Sequence, residues 1–280
     1  MTVKLFGGLL QGQWSDHISS SQRESWMSCR LKNALRSAVG LVPIERGNGA
    51  KGMMAGSLIH SVLGQWYRTA PDERSEAKLL QIADVQARAR GDDAVVGEAM
   101  SRVVLMLKLY YKRYGSDRIE PIEVEAPIER PLASGVKYIG YADMIWLEGD
   151  TLWVEDWKTS LSHIEPEAHT VFNPQGRDYL WGLSKKYDAN KLAMSWLFIT
   201  PASCRRVATP IGALADVGLE LDAIAVEQRT LSPEPNYAKH CLWCEYKPIC
   251  RTKVTGGDVS EALKAYKIVK EEPRNGDEPE

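Results

Sequence analysis

No run of apolar residues in this sequence approaches the ~20 needed to cross a bilayer, so nothing in it reads as a membrane-spanning helix. The opening stretch MTVKLFGGLLQGQW is too briefly apolar for a secretion signal. The expectation is a cytoplasmic protein with no membrane partner. An excess of positive charge is missing as well. With 35 Lys and Arg against 37 Asp and Glu the net charge is −2, so a nucleic acid would have to be met by a local patch. Cysteine is scarce, at five in 280 residues. An odd number without a secretion signal speaks against a disulfide framework and for metal ligation. The glycine-rich stretch 45–52, ERGNGAKG, lacks the spacing and the Lys-Ser/Thr of a phosphate-binding loop and reads as a flexible connection. Internal repeats are absent. What remains is ordinary globular composition, 44% hydrophobic and 26% charged, in a chain long enough to bury a substantial core as one elaborated domain.

The stretch from Tyr138 to Ser160, YIGYADMIWLEGDTLWVEDWKTS, organises the rest. It reads as two alternating, aromatic-rich strands joined by Gly149-Asp150, a pair suited to a two-residue hairpin turn. With Glu148 opposite Thr151, Asp143 falls opposite Asp156 and Tyr141 opposite Lys158. Opposed side chains on an antiparallel pair have Cβ atoms roughly 5 Å apart, and like charges there destabilise the sheet. A hard divalent cation, Mg²⁺ or Mn²⁺, would offset the repulsion. Period-two geometry sets Lys158 on the face of Asp156 and turns Glu155 and Trp157 the other way. Carboxylates and a lysine without a candidate nucleophilic serine or cysteine point to metal-assisted hydrolysis of a phosphodiester. The plainer alternative is a surface hairpin carrying a few charges.

Around the hairpin the sequence predicts helices over 21–39, capped by Ser19 to Ser21 and stopped by Gly40, and over 53–68, 71–91 and 93–114. Arg23, Arg30, Lys32 and Arg36 of the first form either a solvated face or a phosphate-contacting one. The methionines and aromatics of the fourth read as core. In the second, Gly56 and His60 stand four apart on one face, so that the glycine admits a close neighbour and His60 projects into the junction. Pro121 to Arg130 reads as a strand. Asn173-Pro174 opens a helix to about Tyr187 that presents Gln175 and Tyr179 on one face. KLAMSWLFIT, ending at Thr200, reads as a buried strand, and a last helix spans about 211–227. Residues 1–20 show no period and read as an N-terminal extension, and residues 256–280 read as a polar, frayed tail.

The segment SPEPNYAKHCLWCEYKPICRTK carries C-x-x-C-x-x-x-x-x-C at Cys241, Cys244 and Cys250. Three thiolates need a fourth, for which Cys29 and Cys204 compete, and zinc and an iron–sulfur cluster both suit four cysteines.

In this order, Cys29, Gly56-x-x-x-His60, Asp143, Asp156-x-Lys158, Gln175-x-x-x-Tyr179 and the cysteine triad resemble the RecB-like branch of the PD-(D/E)xK nucleases. Within it the likeness is to single-domain iron–sulfur exonucleases related to the CRISPR-associated Cas-four proteins and the AddB nuclease domain, across residues 21–255. The resemblance implies an α/β restriction-endonuclease-like core, a central mixed sheet flanked by helices, with a helical N-terminal insertion and a C-terminal iron–sulfur loop. It implies Mg²⁺ or Mn²⁺ held by His60, Asp143, Asp156 and the carbonyl of Trp157, and Lys158 as the catalytic lysine. Gln175 and Tyr179 would place the DNA strand. Cys29, Cys241, Cys244 and Cys250 would hold a structural [4Fe–4S] cluster. The implied activity is a DNA exonuclease on single strands or ends, with room for a homo-oligomer or for a partner in recombination, repair or CRISPR adaptation. A non-cleaving DNA-binding subunit of such a complex is the competing reading.

Overall fold

The structure is a computed structural model that describes residues 2–44, 49–90, 94–161, 170, 173–209 and 214–269. Thr2–Leu5 (β1) and Leu10–Gln13 (β2) pair as an antiparallel hairpin, whose four-residue strands are too short to show a period in the sequence. After His17–Ile18 (β3), Ser20–Ser28 (α1) begins with a capping box. Ser19 Oγ accepts the Gln22 N–H, and Gln22 Oε1 accepts the Ser19 N–H. The continuous helix expected to residue 39 is broken at Cys29, which is extended at φ −160°, ψ 111°. Arg30–Asn33 (α2) then runs into a π-helical turn at Ala34–Ala38, and Gly40, at φ 71°, ends it. Leu41–Pro43 is β4.

Gly49–Arg68 (α3) starts within the stretch expected to be a flexible loop, of which 45–48 lie outside the described residues. Glu76–Ala89 (α4), capped by Ser75, and Ala94–Tyr114 (α5) follow. Pro121–Pro131 (β5), Lys137–Glu148 (β6) and Thr151–Thr159 (β7) are the expected strands. Gln175–Leu183 (α6) is shorter than expected, and Asn173 Oδ1 accepts the Gln175 N–H at 2.8 Å to open it. Leu192–Ile199 (β8) is followed by a strand not anticipated, Cys204–Thr209 (β9), whose half-exposed residues carry no apolar run. Val217–Thr230 is α7, and 210–213 lie outside the described residues. The cysteine-bearing segment, expected to be a loop, contains Lys247–Val254 (α8). Residues 256–269, expected to fray, form Val259–Leu263 (α9) and Tyr266–Ile268 (β10), which pairs antiparallel with β4. The remainder, 270–280, lies outside the described residues.

The chain divides into two compact units. One comprises Gly47–Arg130 and Tyr138–Gly218. Within it β5 pairs β6, β6 pairs β7 antiparallel, β7 pairs β8 parallel and β8 pairs β9 antiparallel, giving a mixed sheet. Gly149, at φ 58°, makes the tight turn, and Glu148 opposes Thr151 as the two-residue loop requires. One sheet face carries Met144, Trp157, Leu197 and Ile199 into a core with Leu58, Ile59 and Leu63 of α3, Leu79 and Ile82 of α4, and Met106 and Tyr110 of α5. Those α5 side chains are core, as the sequence suggested. On the other face α6 lies close, because Gly176 leaves room for Met194 and Trp196, and Gly182 for Ile128 and Tyr138. Fully buried aromatics such as Trp66, Trp157, Trp196 and Tyr138 each contribute about 4–6 kcal/mol at the usual area coefficient. This is an α/β fold with a central mixed sheet flanked by helices.

The other unit comprises Met1–Arg46, Pro131–Lys137 and Leu219–Glu280. Its N- and C-terminal segments are joined by polar contacts. Trp26 Nε1 and Arg30 Nη2 donate to Glu227 Oε2 at 2.9 and 3.2 Å, Arg23 pairs with Glu220, and Arg36 with Glu245 at 3.0 Å. Gln228 Nε2 donates to Asn33 Oδ1 at 3.0 Å and the Tyr246 hydroxyl to Leu41 O at 2.6 Å. Three of the four basic residues read as solvated or phosphate-contacting therefore face carboxylates of the same unit.

Candidate active site

The paired register of β6 and β7 runs from Glu148–Thr151 to Met144–Glu155, one residue short of the expected opposition of Asp143 with Asp156. Beyond it the Asp143 carboxylate takes over a main-chain donor. Its Oδ2 accepts the Trp157 N–H at 2.6 Å, and its Oδ1 meets His60 Nδ1 at 2.9 Å. His60 reaches this point because α3 approaches β7 at Gly56, where a Cβ would stand 2.8 Å from Thr159 Oγ1. Burial would lower the imidazole pKa, but the hydrogen bond and charge of Asp143, helped by Asp156, outweigh it and raise it. The His60 and Trp157 rings make a T-shaped contact, their centroids 5.7 Å apart.

Asp156 is 3% exposed. Its Oδ1 accepts Gln175 Nε2 at 2.8 Å, and its Oδ2 pairs with Lys158 Nζ at 2.5 Å. Burial first, then the nearby charge of Asp143, pushes its carboxyl up to about 6, against the opposing pull of Lys158. Lys158 Nζ also donates to Gln175 Oε1 at 2.7 Å and lies 5.3 Å over the Trp196 ring. Gln175 Nε2 meets the Tyr179 hydroxyl at 2.6 Å. His60, Asp143, Asp156, Trp157, Lys158, Gln175 and Tyr179 thus form one cluster built from α3, β6, β7 and α6. Of the pair expected to place DNA, Gln175 bridges the lysine and the second aspartate, and Tyr179 holds Gln175. Glu155, Ser195 and Arg206, which sequence reasoning passed over, lie behind the cluster on the core side of β7. The one available signal was a glutamate with Trp153 and Trp157 two positions away on either side, on one strand face.

In the second unit Cys29, Cys241, Cys244 and Cys250 all line one cavity of about 250 Å³. The extended break at Cys29 puts its sulfur at 3.5 Å from the Asn236 N–H, and Cys241 Sγ lies 3.5 Å from the Ala238 N–H. Burial, followed by the neighbouring thiols, pushes Cys250 up to about 11 and raises Cys244. Cys204 stands in the other unit, on β9 opposite Ile199. Burial pushes its thiol up to about 12, and it does not join the four. Among the described residues no three His, Cys, Asp or Glu side chains converge closely enough to hold a single ion. Asp156 is turned to Lys158 and Gln175, Asp143 to Trp157 and His60.

A mixed sheet flanked by helices, with two acidic residues and a lysine on adjacent strands, defines a nuclease-like architecture. Residues 17–251 match the model of the PD-(D/E)XK nuclease superfamily, and the chain belongs to that superfamily. Members of this superfamily typically use divalent metal ions, and the fold implies a DNA substrate. Among solved structures the chain is similar to the protein SSO0001 at 21% identity, covering 72% of this chain and 95% of that one with a TM-score of 0.38. It is also similar to a proposed exonuclease from Eubacterium rectale at 14% identity, covering 87% of this chain and 94% of that one with a TM-score of 0.49. No match was found among curated proteins. Among the described residues no helix is long and apolar enough to cross a membrane.

Proposed function

We propose that the chain is a Mg²⁺- or Mn²⁺-dependent DNA exonuclease of the RecB-like branch, acting on single strands or ends and carrying a structural [4Fe–4S] cluster. The observation that carries this reading is the convergence of Asp143, Asp156, Lys158 and Gln175 within hydrogen-bonding chains of 2.5–2.9 Å. A buried carboxyl pushed up to about 6 beside a second carboxylate suits a divalent cation, whose charge would offset both burial and repulsion. His60, Asp143, Asp156 and the Trp157 carbonyl would hold it. When bound, the metal supplies Lewis-acid polarisation of the phosphate and an activated water.

The chain's own residues do the rest. Lys158 would provide a positive charge for the oxygen that gains charge at phosphorus. Gln175 keeps that ammonium aimed, and Tyr179 braces Gln175. For the cluster, four thiols on the wall of a 250 Å³ cavity support a group larger than a single ion. Zinc would draw all four sulfurs to about 2.3 Å from one point.

The test is to incubate anaerobically purified protein with end-labelled single- and double-stranded DNA, with and without Mn²⁺, beside Lys158→Ala. Mn²⁺-dependent degradation that Lys158→Ala loses is the expected result. Binding without cutting in the wild-type protein would establish the non-cleaving subunit instead.

A further inference from the structure

Alternation along β7 turns Glu155 and Trp157 away from Asp156 and Lys158, into the apolar core. Glu155 is 0% exposed, and its carboxylate is fully occupied. Oε1 accepts Trp157 Nε1 at 3.0 Å and Arg206 Nη2 at 3.4 Å, while Oε2 accepts Ser195 Oγ at 2.9 Å and Arg206 Nε at 2.6 Å. Arg206 is fixed in turn. Its Nη1 donates to Asp117 Oδ2 at 2.9 Å and its Nη2 to the Tyr67 hydroxyl at 3.3 Å, and its guanidinium lies over the Tyr114 ring at 4.6 Å. Tyr67 stacks on Trp157 at 5.9 Å and receives the Tyr110 hydroxyl at 2.6 Å.

Such a pair is an expensive way to fill a core. Desolvating each ion costs several kcal/mol, and apolar residues of similar volume commonly stabilise as well or better. A fully satisfied network does something apolar packing does not, which is to orient its members. Trp157 is the member that reaches the candidate metal site. Its indole N–H is held by Glu155, its ring stacks on Tyr67 and meets the His60 ring in a T-shaped contact, and its main-chain N–H holds Asp143.

We propose that the Glu155–Arg206 pair is a positioning device for the divalent-metal site. By fixing Trp157 it sets the orientation of Asp143 and His60, and so the affinity for the cation, without touching metal or DNA. The inference rests on reading His60, Asp143 and Asp156 as ligands. Residues that orient metal ligands typically change affinity about 10–100-fold when altered.

Two variants test it. Glu155→Gln removes the charge and leaves Arg206 its contacts to Asp117 and Tyr67. Trp157→Phe keeps an aromatic ring against Tyr67 and His60 and removes the indole N–H together with the rest of the five-membered ring. Mn²⁺ binding is measured by calorimetry without DNA, beside thermal melting and the Mn²⁺ dependence of cleavage. Each variant should bind Mn²⁺ about 10–100-fold more weakly, and cleavage should return at saturating Mn²⁺. Wild-type affinity in folded Trp157→Phe, alongside lost binding in Asp156→Asn, overturns the inference alone, and that variant decides should Glu155→Gln fail to fold. A wild-type protein that takes up no Mn²⁺, or takes it up equally well as Asp156→Asn, overturns the metal reading and the inference with it.

Discussion

Asp156 combines deep burial with two partners that want it charged. Its carboxyl is nonetheless pushed up to about 6, so the sign of the pH response is set. A cation competes with a proton for this oxygen pair, and Mn²⁺ affinity should be steady above that value and fall as pH drops through about 6, which calorimetry across that range would read. Lys158→Ala, which leaves the ligands in place, should bind Mn²⁺ normally and cut DNA about 10²–10³-fold more slowly or worse, as loss of a transition-state charge does. Asp143, Asp156 and Lys158 were legible because a two-residue turn sets the register and period two sets the face, whereas His60, Trp157, Gln175 and Tyr179 entered through the family resemblance. The contacts were not. Register arithmetic assumes that the ladder continues to Asp143, whereas its side chain captures the Trp157 N–H and ends it. Nor does the spacing of Gln175 and Tyr179 reveal that the amide clasps Lys158 and Asp156 at 2.7 and 2.8 Å.

Among the elements, α6 matters through its distance from the sheet. A Cβ at Gly182 would stand 2.3 Å from Ile128 Cγ2, a branch that cannot swing aside. Gly182→Val should therefore force α6 off β5, cost about 1–3 kcal/mol as overpacking does, and lower activity by tilting Gln175 at the helix start, measurable as a lower thermal midpoint with reduced turnover. Long periodic helices such as α4 and α5 were readable from sequence, as was the buried run of β8. Shorter or interrupted elements were not. The apolar pattern of 21–39 passes through Cys29 without a glycine or proline to mark the break, and β9 has too few buried residues to declare itself.

For the whole molecule, the division into units tracks the two candidate centres, the acidic cluster in one and the cysteine cavity in the other. If the cavity holds a cluster, anaerobic Cys29→Ala should be colourless and poorly soluble while Cys204→Ala keeps its brown absorbance, and a coloured Cys29→Ala would refute the ligand set. The four cysteines were grouped through the family resemblance, but the unit around them was not legible because its parts are far apart in the chain. Met1–Arg46 meets Leu219–Glu280, and β4 finds its only described ladder partner in β10. During synthesis Cys29 leaves the ribosome long before Cys241, by roughly 10–40 s at ordinary elongation rates. The core unit is complete in sequence at Gly218, ahead of Cys241, so it can start to fold while the first segment waits for its counterpart, and on the proposed function iron–sulfur loading would be the closing event of biogenesis.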